Sequence, residues 1–556
     1  MKTILLIALA VSFTSFTLLA AGPTIASPGI YNSASYAIPG FPNGGIAQGS
    51  IFTVFGSGLG PAEIAYNSSL PYQNSLAGTS VMVTVNGTNV PCLMFYTSAG
   101  QVAAILPSTA PAGTGTMTVT YNGATSPAVP VTVVKNAVGL FTRNQQGSGP
   151  AVAQDANGNY NSLTNAFHPA QTVTFWGTGL GAISGSDATT PPSGAIPGAN
   201  VAAYIGGQVA TVQYAGRSGY SGEDQINLVI PSGVTGCYVP VYLTVNGIPS
   251  NFSSISIAQS GSVCSDPGLY QASDLQNLAN GGTLNIGNVI LSQYTLSASI
   301  LGLTLNLDTE SGSGTFEKYT SNSFLNSLGG LNTLAVTVGS CSVFEFAGSQ
   351  YVDPVTVPVL DAGPQINVNP PSGAAKVMQK TTGGNYQATF VAPSANPLAP
   401  PPAHFLVPGT FALDNGSGGK DVGPFKLNIT VPPTLTWTNK ASVTTVPRNQ
   451  DLKITWSGGD PNSLVYVIGE SPLDANNNNT GEFVCVGKDS DLGLTVPAQI
   501  LSALPPSANI SEGGFQLPGG VIIVNTTSTT RGTAPGLDVL LAGASQGDGK
   551  IGIMFQ

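Results

Sequence analysis

Phe55-Gly-Ser-Gly-Leu-Gly60 returns as Trp176-Gly-Thr-Gly-Leu-Gly181, 121 positions further along the chain. Each copy follows a β-rich run, residues 51–54 in one case and 173–175 in the other. Downstream, Gln101-Val-Ala-Ala-Ile-Leu-Pro107 matches Gln225-Ile-Asn-Leu-Val-Ile-Pro231, and Asn122-Gly123 matches Asn246-Gly247, both 124 positions on. Three landmarks in one order mark a duplicated unit, and the period is that of one immunoglobulin-like sandwich.

The residues around these landmarks specify strands. Val81, Val83 and Val85 alternate with polar or flexible residues and stop at Asn86-Gly87; Met117, Val119 and Tyr121 alternate and stop at Asn122-Gly123. Alternation with period two puts one face on a core. Asn-Gly accepts the positive φ values of a tight hairpin turn. The repeated Gly-Ser/Thr-Gly-Leu-Gly element is expected to form a bulge or tight loop where a Cβ would clash. The fold class is therefore all-β, tandem immunoglobulin-like β-sandwich domains with a few short helices.

The chain has 556 residues, too many for one core, and about four or five sandwiches fit this length. Only 7% of residues are charged, against about 25% in an average domain. Gly (70) and Pro (42) are abundant, as short strands joined by many turns require. A net charge of −10 without a basic patch argues against nucleic acid as a partner. At the N-terminus, Lys2, an apolar stretch over 4–20 and small residues after it read as a signal peptide, 1–26, cleaved after Ala21 or Ala26. The apolar run is only marginally long enough to be a membrane anchor. No membrane span is expected after its removal, and the expected location is extracellular or on the cell surface.

The run Ala137-Val-Gly-Leu-Phe141, Asp155-Ala-Asn-Gly-Asn-Tyr-Asn161, Pro169, Gly177-Thr-Gly-Leu-Gly181 and residues 225–231 resembles the uncharacterised C-terminal domain family described from Solibacter and its acidobacterial relatives. Gly236-Cys237-Tyr-Val-Pro-Val241, Ser250-Asn251 and Cys264-Ser-Asp-Pro267 fit the same pattern. The resemblance covers about 28–267. It implies IPT/TIG-like, Ig-type domains in a secreted or surface protein, and no activity. The family domain usually closes its proteins, whereas here about 290 residues follow.

The expected units are sandwich 1 over 27–137, its duplicate over 138–265, a β-rich domain over 266–362 with a helix at 266–280, a β-sandwich-like domain over 363–432 with a Pro-rich loop at 400–402, and a C-terminal sandwich over 433–556. Asp266 is the expected N-cap of that helix, followed by Pro267. Five Cys are too few and too scattered for a disulfide framework. Cys237 and Cys264 bracket the end of the second sandwich and are expected to bond, closing a loop worth roughly 3 kcal/mol; two buried thiols are the alternative. Cys92 and Cys485 read as core residues, as do Trp176, Trp437 and Trp456.

Catalysis needs an acid, base or nucleophile with a partner. His168 and His404 fall in different expected domains. Gly543-Ala-Ser-Gln-Gly547 matches a nucleophile elbow in letters, yet lacks the strand–helix context that gives Ser545 meaning. Glu223 with Asp224, or Glu310, could supply the paired carboxylates of a glycosidase, but sequence gives no geometry and isolated solvated carboxylates are far more common. No catalytic residue is assigned, and no cofactor beyond calcium. Two loops alternate oxygen ligands, Asp155, Asn157, Asn159 (with Asn161) and Asp474, Asn476, Asn478; they are candidate calcium loops, although neither carries the Gly and Glu of an EF-hand. Asn and Asp also make plain turns. The reading is a non-enzymatic structural or adhesion protein whose partner is an extracellular polymer or surface protein. The alternative is a carbohydrate-binding accessory protein, calcium-assisted, using exposed rings such as Tyr214 and Tyr220; a secreted hydrolase comes third.

Overall fold

The computed structural model describes residues 22–192, 194–266, 269–300, 303–327, 336–347, 357–392, 403–476, 478–512 and 515–556. The expected signal peptide lies outside these residues up to position 21, as do Pro267 and the triple proline. Strand Thr24–Asn32 pairs antiparallel with Ile51–Ser57. Cleavage after Ala21 therefore leaves it whole, whereas cleavage after Ala26 removes its first three residues.

The chain is an all-β protein of tandem sandwiches. In the first, one sheet runs Thr24–Asn32, Ile51–Ser57, Gln101–Ile105, Leu93–Thr97, Ala65–Tyr66; the facing sheet runs Ile46–Ala47, Val129–Val134, Gly113–Tyr121, Thr79–Val85, Thr88–Pro91. Val81, Val83 and Val85 point inward against Phe52, Val54, Met94 and Val102. Asn86 and Gly87 hold φ of 51° and 77°, the two left-handed residues of the hairpin turn. Asn122-Gly123 and Asn246-Gly247 do the same. Cys92 is buried in this core, and burial pushes its thiol well above the ordinary range.

The second sandwich wraps one continuous sheet around its core. The long strand Gln208–Arg217 pairs with Asp224–Val229 on one side and Val201–Ile205 on the other. A register shift between Val212 and Tyr214 bends it, as an extra residue in one strand does. Cys237 and Cys264 are disulfide-bonded, with Cα atoms 5.4 Å apart.

Beyond residue 266 the strand partners cut across the expected boundaries. The hairpin Leu284–Ile300 and Leu303–Tyr319 pairs with Tyr386–Val391 on one edge. On its other edge Leu284–Ile300 runs parallel to Val539–Phe555. Cys341–Ala347 pairs with Asn479–Lys488. Segments expected as three domains (266–362, 363–432 and 433–556) thus interleave in one 13-stranded sheet. Two cores sit on it, one around Phe316, Ile366 and Phe411, the other around Trp437, Trp456 and Phe483. Cys485 is a core residue, and it is also disulfide-bonded to Cys341, its register partner on the next strand. The helix spans Ala272–Ala279 rather than 266–280. Its N-cap is Gln271, whose N–H donates to Asp274, while Asp266 bridges Tyr270.

Candidate functional site

The two N-terminal sandwiches are joined by buried polar contacts. Arg217 is fully buried and ion-paired with Asp224, and its Nη2 donates to the carbonyls of Gly49 (2.7 Å) and Gly181 (2.8 Å). Asp224 also accepts the N–H of Leu180, so the repeated Gly-Thr-Gly-Leu-Gly loop is held by this carboxylate. Thr178 of the same motif accepts the N–H of Ile51. Asp187 takes both the N–H and the hydroxyl of Ser108. Asn32 donates across to Ala137 and Thr178, and its Oδ1 accepts the N–H groups of Ala34 and Ser35. Bonds of this kind have fixed directions, so they fix the angle between the sandwiches as apolar contact alone does not.

That junction creates a groove of about 550 Å³, within the usual range for ligand sites. Its floor is the outer face of the first sandwich, with Thr53, Phe95, Tyr96 and Ala103; Tyr36 stands beside them. Its wall comes from the second sandwich, with Phe141, Tyr160, Trp176 and Tyr220. Tyr220 is 68% exposed and Tyr160 50% exposed, whereas Trp176 is half-buried. The indole N–H of Trp176 donates to Gln154 Oε1 (2.9 Å), and Gln154 in turn donates to the carbonyl of Gly158. Tyr96 Oη accepts from Gln101 Nε2 (2.6 Å), and burial pushes its phenol up to about 12. A ring row continues outward: Tyr66 lies 6.0 Å from Tyr96, and Tyr72 lies 6.0 Å from Phe95. Arg143 and Glu223 are the charged side chains on the groove, and burial raises the Glu223 carboxyl.

Trp176, expected in a core, is instead a groove residue. Strand parity carried that signal: Val173 and Phe175 face inward, so Trp176 on the same strand faces out. Tyr220 reaches the groove. Tyr214 does not line it; its hydroxyl is bonded to the carbonyl of Arg217. The meeting of Phe95, Tyr96 and Phe141 depends on how the two sandwiches dock, which no local pattern in the sequence encodes.

The remaining candidates disperse. Asp155 accepts the backbone N–H groups of Asn157 and Asn159 and the side-chain amide of Asn159, an Asx turn that lowers its carboxyl. This turn supports Tyr160 at the groove edge. Asp474 is used likewise by Asn476, Asn478 and Asn479. Each loop brings one carboxylate, and among the described residues no group of three His, Cys, Asp or Glu is gathered. Ser545 lies mid-strand in Val539–Phe555, buried, donating to Asn525 Oδ1 (2.6 Å); there is no elbow there. His168 Nδ1 is 3.0 Å from the Ala258 carbonyl. His404 and Glu310 do meet, with Nδ1 2.8 Å from Oε1, across segments expected as separate domains. Glu310 also accepts the N–H groups of Phe405 and Leu406, so the pair pins the segment after the triple proline to the long hairpin.

No protein-family profile matches the chain, and no curated protein matches it. Among solved structures it is similar to domains 5–6 of the S-layer protein SbsC (13% identity, 43% of this chain and 99% of that one, TM-score 0.15). It is also similar to a gamma-CGTase from alkalophilic Bacillus clarkii (10% identity, 49% and 34%, TM-score 0.15). A third is the Bacteroides ovatus mixed-linkage glucan utilization locus protein SGBP-B, solved with a heptasaccharide (10% identity, 86% and 95%, TM-score 0.15). Scores of this size carry nothing about what this chain binds. Among the described residues no helix is long and apolar enough to cross a membrane.

Proposed function

We propose that this is a secreted or cell-surface, non-enzymatic protein that adheres to an extracellular polymer through the groove between its first two sandwiches. The observation that carries the reading is the groove itself, with rings from both sandwiches facing one open channel over a junction fixed by Arg217 and Asp224. An open groove lined by rings from two sandwiches suits a chain rather than a small molecule. The resemblance to the acidobacterial domain family and the apolar N-terminal stretch support the extracellular assignment. The C-terminal sheet acts in this reading as a spacer and platform.

The test is retention of the full chain on a panel of insoluble polysaccharides and matrix proteins. Trp176→Ala combined with Tyr220→Ala should abolish retention while leaving the melting temperature within a few degrees. Retention unaffected by the double substitution would move the adhesive surface elsewhere on the molecule.

A further inference from the structure

The groove's chemistry narrows its polymer, an inference that rests on the polymer-binding reading above. Trp176 and Tyr96 have their polar handles consumed inside the protein, by Gln154 and Gln101. What they offer a ligand is therefore the π-face, whose negative potential favours the weakly positive C–H groups of a pyranose ring. The hydroxyls of Thr53 and Thr142 are buried and engaged, with Ser33 and with the N–H groups of Gln146 and Gly147, which leaves the exposed amide of Gln145 on the groove as a partner for a ligand's hydroxyls.

Charge decides among polysaccharides. Arg143 and Glu223 line the groove and cancel. A uronate polymer carries a carboxylate on each sugar and would find one cation here, on a chain of net charge −10. Repulsion of this kind opposes association at ordinary salt. A polycationic glycan would find one carboxylate, held half-buried and raised toward its neutral form. Neither sign is matched along the channel.

We propose that the groove is a binding site for a linear, uncharged polysaccharide, seated by stacking on Trp176, Tyr96 and Tyr220 across both N-terminal sandwiches.

The experiment is affinity electrophoresis and titration calorimetry of the full chain with neutral polymers (xylan, mixed-linkage β-glucan, galactomannan, dextran), acidic ones (polygalacturonate, alginate) and cationic chitosan. At least one neutral polymer should bind, with affinity changing less than about twofold between 0.05 and 0.5 M NaCl, because an uncharged partner leaves little for salt to screen. Trp176→Ala should weaken binding about tenfold. Tyr220→Ala, on an exposed ring that no fold contact needs, should weaken it as well and guards against a Trp176 variant that does not fold. Binding confined to acidic or cationic polymers, but lost in the ring variants, would overturn the neutral-ligand inference and leave the polymer-binding reading standing. Neutral binding indifferent to both variants would overturn the assignment to this groove. No binding to any polysaccharide would overturn the inference, and retention on a matrix protein would then decide the broader reading.

Discussion

Replacing Arg217 by Met should unlock the junction that shapes the groove. The side chain is fully buried, as is its partner Asp224. The substitution keeps most of the volume but strands a carboxylate in the interior and leaves the Gly49 and Gly181 carbonyls without their donor. Removing one member of a buried pair costs about 3–5 kcal/mol. For a unit of some 200 residues each kcal/mol lowers the melting temperature by about 2–4 °C, so Arg217→Met should melt about 6–20 °C lower. Differential scanning calorimetry of the full chain at pH 7 reads this as a downward shift of the transition that contains the first two sandwiches. The stranded charge, rather than lost packing, is the cause of this shift. Adding Asp224→Asn to Arg217→Met should therefore recover part of the loss, because the amide can still accept the Leu180 N–H without a charge. A single variant melting within about 2 °C of the parent, or a double variant no better than the single, would refute this account.

Three more outcomes are expected. The Cys341–Cys485 bond closes a separation of 144 residues and the Cys237–Cys264 bond one of 27; loop entropy makes these worth about 5 and about 3.5 kcal/mol. Urea denaturation should show the Cys341→Ala/Cys485→Ala pair as the more damaging, and the reverse order would contradict the entropic account. Glu345, largely buried and accepting the Ile38 N–H, is raised by burial to about 7. A raised carboxyl contributes stability below about pH 4.5 that is lost as pH climbs through 7, a difference of about 3 kcal/mol. Glu345→Gln should then flatten the decline in melting temperature between pH 5 and pH 8; an unchanged slope would remove Glu345 as its source. Finally, because Asp155 closes its own turn with N–H donors, polymer binding should survive chelation by EDTA; loss on chelation, restored by calcium, would place a cation in that loop.

Local rules made much of the architecture legible. The Val81–Val83–Val85 alternation, the three Asn-Gly turns and the Gly-Leu-Gly duplication each depend on near neighbours, and each corresponds to a strand, a hairpin or a repeated loop. Partners far away in sequence were not legible. Nothing near Leu284 says that its strand will lie beside Val539, or near Cys341 that Cys485 will face it. Divisions drawn at 362 and 432 followed punctuation, whereas strands on either side of them pair with one another. The groove failed to show for a related reason. Its rings come from both sandwiches, and only the docking of one on the other, set by Arg217, Asp187 and Asn32, makes them neighbours.

The placing of Val539–Phe555 has a consequence for how the molecule comes into being. This late segment is an interior strand, flanked by Gly520–Gly532 on one side and Leu284–Ile300 on the other. Asn285 is bonded to Asp538, 253 positions away. The hairpin made in mid-chain must therefore wait for Val539–Phe555 before its second edge is covered, whereas the strands of the two N-terminal sandwiches pair only among themselves. Distant pairing of this kind is slow. A chain that folds from its N-terminus would complete the sheets of the grooved head while the mid-chain hairpin still shows an unpaired edge to solvent.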